Sequence, residues 1–300
     1  MTGRPTPAGA SAARRLLPTL ASWLSVTPLV LVLVPFFVVP MLAVLAASFM
    51  ESDGFGGIIP NLSLDNYKDI ISTALALHLY VSTLKFTLLT WLFTFLIGFG
   101  VAYFLAFHVK SALWSTGLFL VCTIPFWTSN VIRMISWIPL LGQQGLVNMA
   151  LLKTHLIHEP LKFLLFSDFA VVVAYVHQLT IFMIVPIYSS LSRIDKRVLE
   201  AAEDAGASRL DTLRLVVLPL AKSGIALGSV FVTSIVMGDF FVVKVMSGGN
   251  SSSIVAALFE NISVLQYPTA AAQAVVLLIV VLLIATIILR SVDVRREIAR

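Results

Sequence analysis

Between Arg193 and Lys222 the sequence gathers ionisable side chains of both signs: Asp195, Lys196, Arg197, Glu200, Glu203, Asp204, Arg209, Asp211 and Arg214. The stretch offers no nucleophile paired with a base. Its chemistry is recognition, in which a carboxylate such as Glu200 accepts from a partner's arginine or backbone N–H. Asp239 is a different case, because it stands in an apolar run. An unpaired carboxylate at the bilayer centre costs about 2.5 to 3.5 kcal/mol, so Asp239 is expected to face protein or water. That suits a path for cationic amines, and equally a pairing with a partner-subunit residue or with Lys244. His177 and Gln178 fall inside another apolar run, where interhelical hydrogen bonds are their usual work. His177 and Asp239 alone make a poor catalytic constellation, and the chain is read as a non-catalytic subunit. Cys122 is the single cysteine, which excludes internal disulfides and cysteine-based metal sites. No G-x-x-x-x-G-K-[ST] phosphate loop is present, so ATP is not bound in that way and any ATP-derived energy must come from elsewhere.

The elements that position these residues are membrane spans. Of 300 residues, 59% are hydrophobic and only 12% charged, with a mean hydropathy of +0.98. Several runs reach the ~20 apolar residues needed to cross a ~30 Å hydrocarbon core. The net charge of +5 is not gathered on one face or tail, which argues against nucleic acid; the basic residues sit in clusters between apolar runs. An all-α integral membrane protein of about six spans is predicted. The spans run from about Val26 to Met50, bent by Pro28, Pro35 and Pro40, then Val81 to Phe107 and Ala112 to Trp127. Phe169 to Ser189, Gly224 to Met246 and Ala270 to Leu289 complete the set. Ser52 to Tyr80 is turn-rich and polar, Lys85 snorkels near a span end, and Asn130 to Asp168 reads as short outer helices or a re-entrant piece. Residues 1–25 and 291–300 are read as tails around a six-span transmembrane domain at 26–290.

Arg4, Arg14, Arg15, Lys110, Arg193, Lys196, Arg197, Arg209, Arg214, Lys222, Arg290, Arg295, Arg296 and Arg300 fall on one side, leaving Lys68, Lys85, Arg133, Lys153, Lys162 and Lys244 elsewhere. The basic excess marks the cytoplasm and places both termini inside. At the other face, Phe126 and Trp127 are read as gate residues or interfacial anchors, with Arg133 stabilising helix ends or closing the gate, and Glu260 as a docking or solvated side chain.

The loop at 193–222 keeps helical patterning. Asp195 caps a helix from about Lys196 to Asp204, and Gly206 ends it by taking positive φ. Ser208 and Asp211 stand at the capping-box offset, although Glu or Gln is preferred there, and Pro219 breaks the second helix before the next span. Glu200-Ala201-Ala202, three residues, Gly206, nine residues and Val216-Val-Leu218-Pro219 resemble the EAA loop of permease subunits in ATP-binding-cassette importers. Val216 replaces the usual Ile. Leu64-Asp-Asn-Tyr67, Lys85 after Ser82-Thr-Leu84, Pro125-Phe-Trp-Thr-Ser129 with Arg133, Gly145-Leu-Val-Asn148 and Met237-Gly-Asp-Phe240-Phe241 are similar to the spermidine/putrescine branch.

The resemblance implies a type I importer fold in a bacterial inner membrane, with a second homologous permease subunit beside it. It also implies two ATP-binding subunits, which carry the ATP and Mg, docked on the Glu200 loop, and an extracytoplasmic substrate-binding protein above. Asp239 and Phe240 would then lie on the translocation path. A permease for another small organic solute or anion fits the same motifs. A secondary transporter fits less well: it would usually carry an internal repeat and intramembrane ionisable residues that do the coupling, whereas here the polar structure lies in one loop.

Overall fold

A computed structural model describes residues 27–109 and 111–292 of the chain, which are almost entirely helical. Arg4, Arg14, Arg15, Lys110, Arg295, Arg296 and Arg300 lie outside the described residues, as do the tail at 1–25 and all but the first two residues of the one at 291–300.

Helix α1 (Thr27–Ala47) carries no buried residue, as expected of a lipid-facing span. Pro35 sits at the start of a π turn over Val34–Val38 and Pro40 at the start of the segment after it, while Pro28 stands in the first turn of the helix. The wide turn moves the acceptors that these residues cannot serve. A short hairpin pairs Glu51–Ser52 with Ile58–Ile59, its turn held by Asp53 Oδ1, which accepts from the Phe55 and Gly57 amides at 2.8 and 2.7 Å.

Helix α2 (Asp65–Ser72) follows, and then α3 (Ala74–His108). The sequence reading leaves Ala74 to Tyr80 in the outer loop; the structure makes it the first two turns of α3, because Ala74-Leu-Ala-Leu77 continues the apolar helix without a breaker. At 35 residues and ~1.5 Å per residue, α3 is longer than the hydrocarbon core is thick and projects beyond it. Thr83, Thr87, Thr90 and Thr94 form a buried stripe along α3. Thr83, Thr87 and Thr94 donate to carbonyls one turn back, which lets small polar side chains sit inside the bundle.

Helix α4 (Leu113–Trp127) bends by 93° into α5 (Asn130–Lys153), which consists of the three pieces Asn130–Ile135, Ile138–Leu141 and Leu146–Lys153. The expected short helices between 130 and 168 are thus found. Helix α6 (Asp168–Leu191), capped by Ser167, packs on α3 and is the most enclosed span. Tyr175, Met183, Ile187 and Leu191 are fully buried along it.

The loop helices α7 (Lys196–Asp204) and α8 (Arg209–Leu220) lead through a 68° bend into α9 (Lys222–Gly238). Helix α9 lies against both α6 and α3. Gly224 is required there: a Cβ on it would stand 2.3 Å from the Pro186 carbonyl oxygen and 2.6 Å from Ser190 Oγ. The fifth predicted span is not continuous to Met246. It breaks at Asp239 and resumes as α10 (Phe241–Met246). Helix α11 (Ile254–Ser263) then lies on α12 (Tyr267–Arg290), which also contacts α1, α2 and α9. By length and composition, α1, α3, α6 and α12 can each cross a membrane; counting the bent pairs α4–α5 and α8–α9 as one span each brings the number to six.

Candidate functional site

The loop at 193–222 folds as two capped helices joined by a tight turn. Asp195 accepts from the Arg197 amide at 3.0 Å and starts α7. At the other end the Ala207 amide reaches Ala202 O at 3.0 Å, the Gly206 amide reaches Glu203 O at 2.9 Å, and Gly206 has φ +82°. These two bonds and the left-handed glycine form a Schellman closure, which satisfies carbonyls that the helix end would leave bare.

Helix α8 opens with a complete capping box. Ser208 Oγ accepts from the Asp211 amide and Asp211 Oδ2 accepts from the Ser208 amide, both at 3.2 Å. Asp serves where Glu or Gln is preferred, because the Ser208 hydroxyl also donates to Oδ2 at 2.5 Å. That hydroxyl bond, more than any nearby charge, holds the Asp211 carboxyl below the usual carboxylate range. Pro219 does not end α8 as the sequence reading has it. The π turn Leu213–Val217, in which the Leu218 amide reaches Leu213 O, precedes Pro219, and the helix continues to Leu220 before the bend at Ala221.

The pair is anchored on one side and open on the other. Leu199 and Leu213 pack against the core, with Thr212 and Val217 buried. Glu200, Ala201 and Gly206 are exposed, Ala202 and Leu218 are half-buried, and Pro219 is exposed. Apolar Val198, Leu210 and Leu215 also face outward, Leu215 at 74%. Glu200 has no hydrogen bond or ion pair within the described residues. The surface thus offers an unengaged carboxylate among small and apolar side chains, which is what a protein partner can seat on.

The other singled-out residues form two separate groups. At the α4–α5 bend, Phe126 meets Phe182 of α6 edge-on at 5.7 Å, Trp127 is 86% exposed, and Arg133 is buried with its guanidinium bonded to Asn130 on its own helix. At the α9–α10 break, Asp239 has extended backbone (φ −99°, ψ 135°) and is half-buried. Its Oδ1 accepts from Tyr175 Oη at 3.1 Å and from the Val242 amide at 2.9 Å. The break therefore turns an intramembrane carboxylate into a helix cap. Lys244 does not pair with it; its Nζ lies 5.4 Å from the Phe259 ring centroid. Phe240 stacks on Phe259 with centroids 4.5 Å apart. Among the described residues, no side-chain hydrogen bond, ion pair or direct ring contact joins the two groups.

His177 accepts from Trp137 Nε1 at 3.1 Å, the interhelical role expected of it, and Gln178 is buried. Glu260 is exposed beside a cavity of about 300 Å³ that Asp69, Asn66 and Asn261 also line. Sequence reasoning missed Tyr175 and the clasp in which Lys85 and Ser251 both hold Asp168. Lys85 is thus paired as well as near a span end. A tyrosine in an apolar run, within reach of a lone intramembrane Asp, is the signal that could have found the first; nothing local marks the second.

Apolar spans around an enclosed α6, with a structured helix pair carried on one loop, define the transmembrane permease subunit of an ATP-binding-cassette importer. The fold is shared over 94% of the chain with a chain of a bacterial ABC transporter involved in the import of the acidic polysaccharide alginate, at TM-score 0.72, 17% identity and 98% coverage of that chain. The structure of the alginate transporter in complex with an alginate pentasaccharide-bound periplasmic protein matches at TM-score 0.69 and 17% identity, over 94% of this chain and 96% of that one. No family model matches the sequence. The spermidine/putrescine transport system permease protein PotB of Escherichia coli K12 is 32% identical over 251 residues, 82% of this chain and 88% of that protein. The chain belongs to the permease family that PotB represents.

Proposed function

We propose that the chain forms half of the translocation pathway of a polyamine importer and carries spermidine or putrescine. The observation that carries this reading is the 32% identity to PotB, which extends over 82% of the chain and is not confined to the loop motif. In this reading α7 seats in a cleft of an ATP-binding subunit, and two such subunits hold ATP and Mg and perform the hydrolysis. Glu200 supplies the polar contact, Ala201 and Ala202 allow close approach, and Gly206 with Leu218 and Pro219 sets the angle between the loop and α9. A second, homologous permease subunit completes the pathway, and an extracytoplasmic substrate-binding protein delivers the solute. The assembly lies in a bacterial inner membrane with both termini of this chain in the cytoplasm, on the side that the basic residues mark. Phe126, Trp127 and Arg133 belong to a gate, and Asp239 and Phe240 to the path.

Reconstitution of this chain with its neighbouring subunits in proteoliposomes tests the reading. Radiolabelled putrescine uptake driven by ATP is expected, and Glu200→Ala is expected to lower uptake and ATPase-subunit retention together while leaving membrane insertion intact. Transport of a different solute with no amine uptake would overturn the substrate. Wild-type uptake and retention in Glu200→Ala would overturn the docking role.

A further inference from the structure

Helices α3, α9 and α12 leave between them a groove of about 550 Å³, walled by apolar side chains that include Leu84, Leu88, Ile225, Ile284 and Ile288. Along α9 it runs from Lys222 to Thr233, which at ~1.5 Å per residue is about 17 Å, close to half of a ~30 Å hydrocarbon core. The groove thus has the depth of one leaflet, on the face that carries the 193–222 loop. Polar side chains on its wall are already spent. Trp91 Nε1 donates to Ser229 Oγ at 2.8 Å, while the hydroxyls of Thr87, Ser229, Thr233 and Ser291 each donate to a carbonyl one turn back. Lys222 is the exception: it lies at the loop end, exposed and with no hydrogen bond or ion pair among the described residues. Arg290, next to Ser291 of the same wall, is likewise exposed and unpaired among the described residues.

A hydrocarbon-lined slot with one cation at its mouth selects an amphiphile with an anionic head. An alkylammonium solute finds no carboxylate on its wall and meets a like charge at the entrance. A partner's apolar helix would fill the slot but offer the ammonium no counter-charge. We propose that the groove holds an anionic phospholipid of the leaflet on the loop side, with one acyl chain along α9 and the head-group phosphate on Lys222. Basic residues between spans hold anionic head groups in this way, and Arg290 adds to the positive potential. Lys222 follows directly on the bend at Ala221, so the head group sits at the root of α9, where the loop helices join the bundle. Lipid held there fastens this root to the membrane surface and makes ATPase coupling sensitive to anionic lipid. That sensitivity rests on the docking of an ATP-binding subunit proposed above; the lipid site does not.

The test places the complete transporter in phosphatidylcholine nanodiscs with a trace of phosphatidylglycerol carrying a photoactivatable acyl chain, and maps the cross-links by peptide mass spectrometry. Labelling is expected on the groove walls of α3, α9 and α12, competed by unlabelled phosphatidylglycerol and not by phosphatidylethanolamine. Lys222→Gln is expected to lower the preference for phosphatidylglycerol about 5-fold, the worth of one lysine at an anionic surface, and Lys222→Arg to keep it. Ala226→Leu, which fills part of the groove, is expected to reduce labelling there and not on α1; thermal unfolding without phosphatidylglycerol checks that this variant is folded. Substrate-stimulated ATPase activity is expected to rise with the phosphatidylglycerol fraction in wild type and Lys222→Arg, and to lose that dependence in Lys222→Gln. Equal labelling of all exposed spans without head-group preference, or wild-type preference in Lys222→Gln, would overturn the site. So would a cross-link between Ile288→Cys, in a Cys122→Ser background, and a neighbouring permease subunit, because a protein helix would then occupy the groove. Selective labelling with ATPase activity indifferent to phosphatidylglycerol would keep the lipid site and overturn its effect on coupling.

Discussion

Replacing Gly206 isolates the geometry of the loop from its chemistry. The residue has φ +82°, and a Cβ built on it meets nothing within 4 Å, so no side-chain clash confuses the result. What remains is backbone strain: an L-residue in the left-handed region costs about 1–2 kcal/mol, and a β-branched one lies at or above the top of that range. At 1.4 kcal/mol per factor of ten, Gly206→Val is expected to shift the loop about 30-fold or more away from its closed turn. The bonds at risk are those from the Gly206 and Ala207 amides to Glu203 and Ala202. Losing them frays the end of α7 and changes its angle to α8. Gly206→Asn is the control, because asparagine tolerates the left-handed region and has a side chain of comparable size. Uptake and substrate-stimulated ATPase activity of the reconstituted complex, with pull-down of the ATPase subunit, are the readouts. Both activities are expected to fall in the Val variant and to persist largely in the Asn variant. Equal behaviour of the two variants, or wild-type coupling in Gly206→Val, would refute the claim that the turn's conformation matters.

Single cysteines placed at Ser252 and Ser208 in a Cys122→Ser background are expected to react with a membrane-impermeant maleimide from opposite faces; labelling of both from outside would overturn the orientation. Gly224→Ala is expected to destabilise the protein by about 1–3 kcal/mol through overpacking on Pro186, whereas Gly100→Ala, with open space around its Cβ, is expected to be neutral or mildly stabilising; thermal unfolding in detergent compares them. Asp211 has a carboxyl held below its ordinary value by Ser208, so the capping box contributes fully above the unfolded-state value and is lost only as pH falls through the lower folded value. Carboxyl-labelled NMR titration is expected to give a midpoint below the ordinary carboxylate range, moving back up in Ser208→Ala.

Where local chemistry decides the structure, the sequence is a good guide. The ends of α7 follow from Asp195 and Gly206, and the start of α8 from Ser208 and Asp211, because caps and turns are set by residues a few positions apart. Asp239 shows the opposite case. Its apolar neighbours read as one span, but its carboxylate meets Tyr175, 64 positions away, and that pairing accompanies the break. The clasp of Lys85, Asp168 and Ser251 joins three parts of the chain and has no local signature. Pro219 misled for a related reason: the wide turn over Leu213–Val217 comes just before it, so the helix end moves to Ala221. Four of the candidate pathway residues, Phe126, Trp127, Asp239 and Phe240, are legible as unusual types in or beside apolar runs, but their separation into two groups depends on how α6 packs.

Helix α6 also supplies the link between the loop and the break. At the root of α9, Gly224 lies directly on Pro186 and Ser190 of α6. At its far end, Asp239 is bonded to Tyr175 of the same helix. Between these points Gly228 lies against Phe182 and Met183, too close to admit a side chain without a shift. Helix α9 is therefore fastened to α6 along its whole length, and a packed interface of this kind moves as a body more readily than it slides. The root of α9 is continuous in sequence with α8, whose Val217 is buried in the same core. If an ATP-binding subunit docks at α7 as proposed, a force applied there would reach α8 through the short Gly206 turn and enter the α6–α9 pair at Ala221. It would leave at Asp239, where the helix is interrupted and α10 can change direction without breaking a continuous hydrogen-bond ladder. The residue whose carboxylate caps α10 is thus the place where movement of the bundle would alter the Phe240–Phe259 stack.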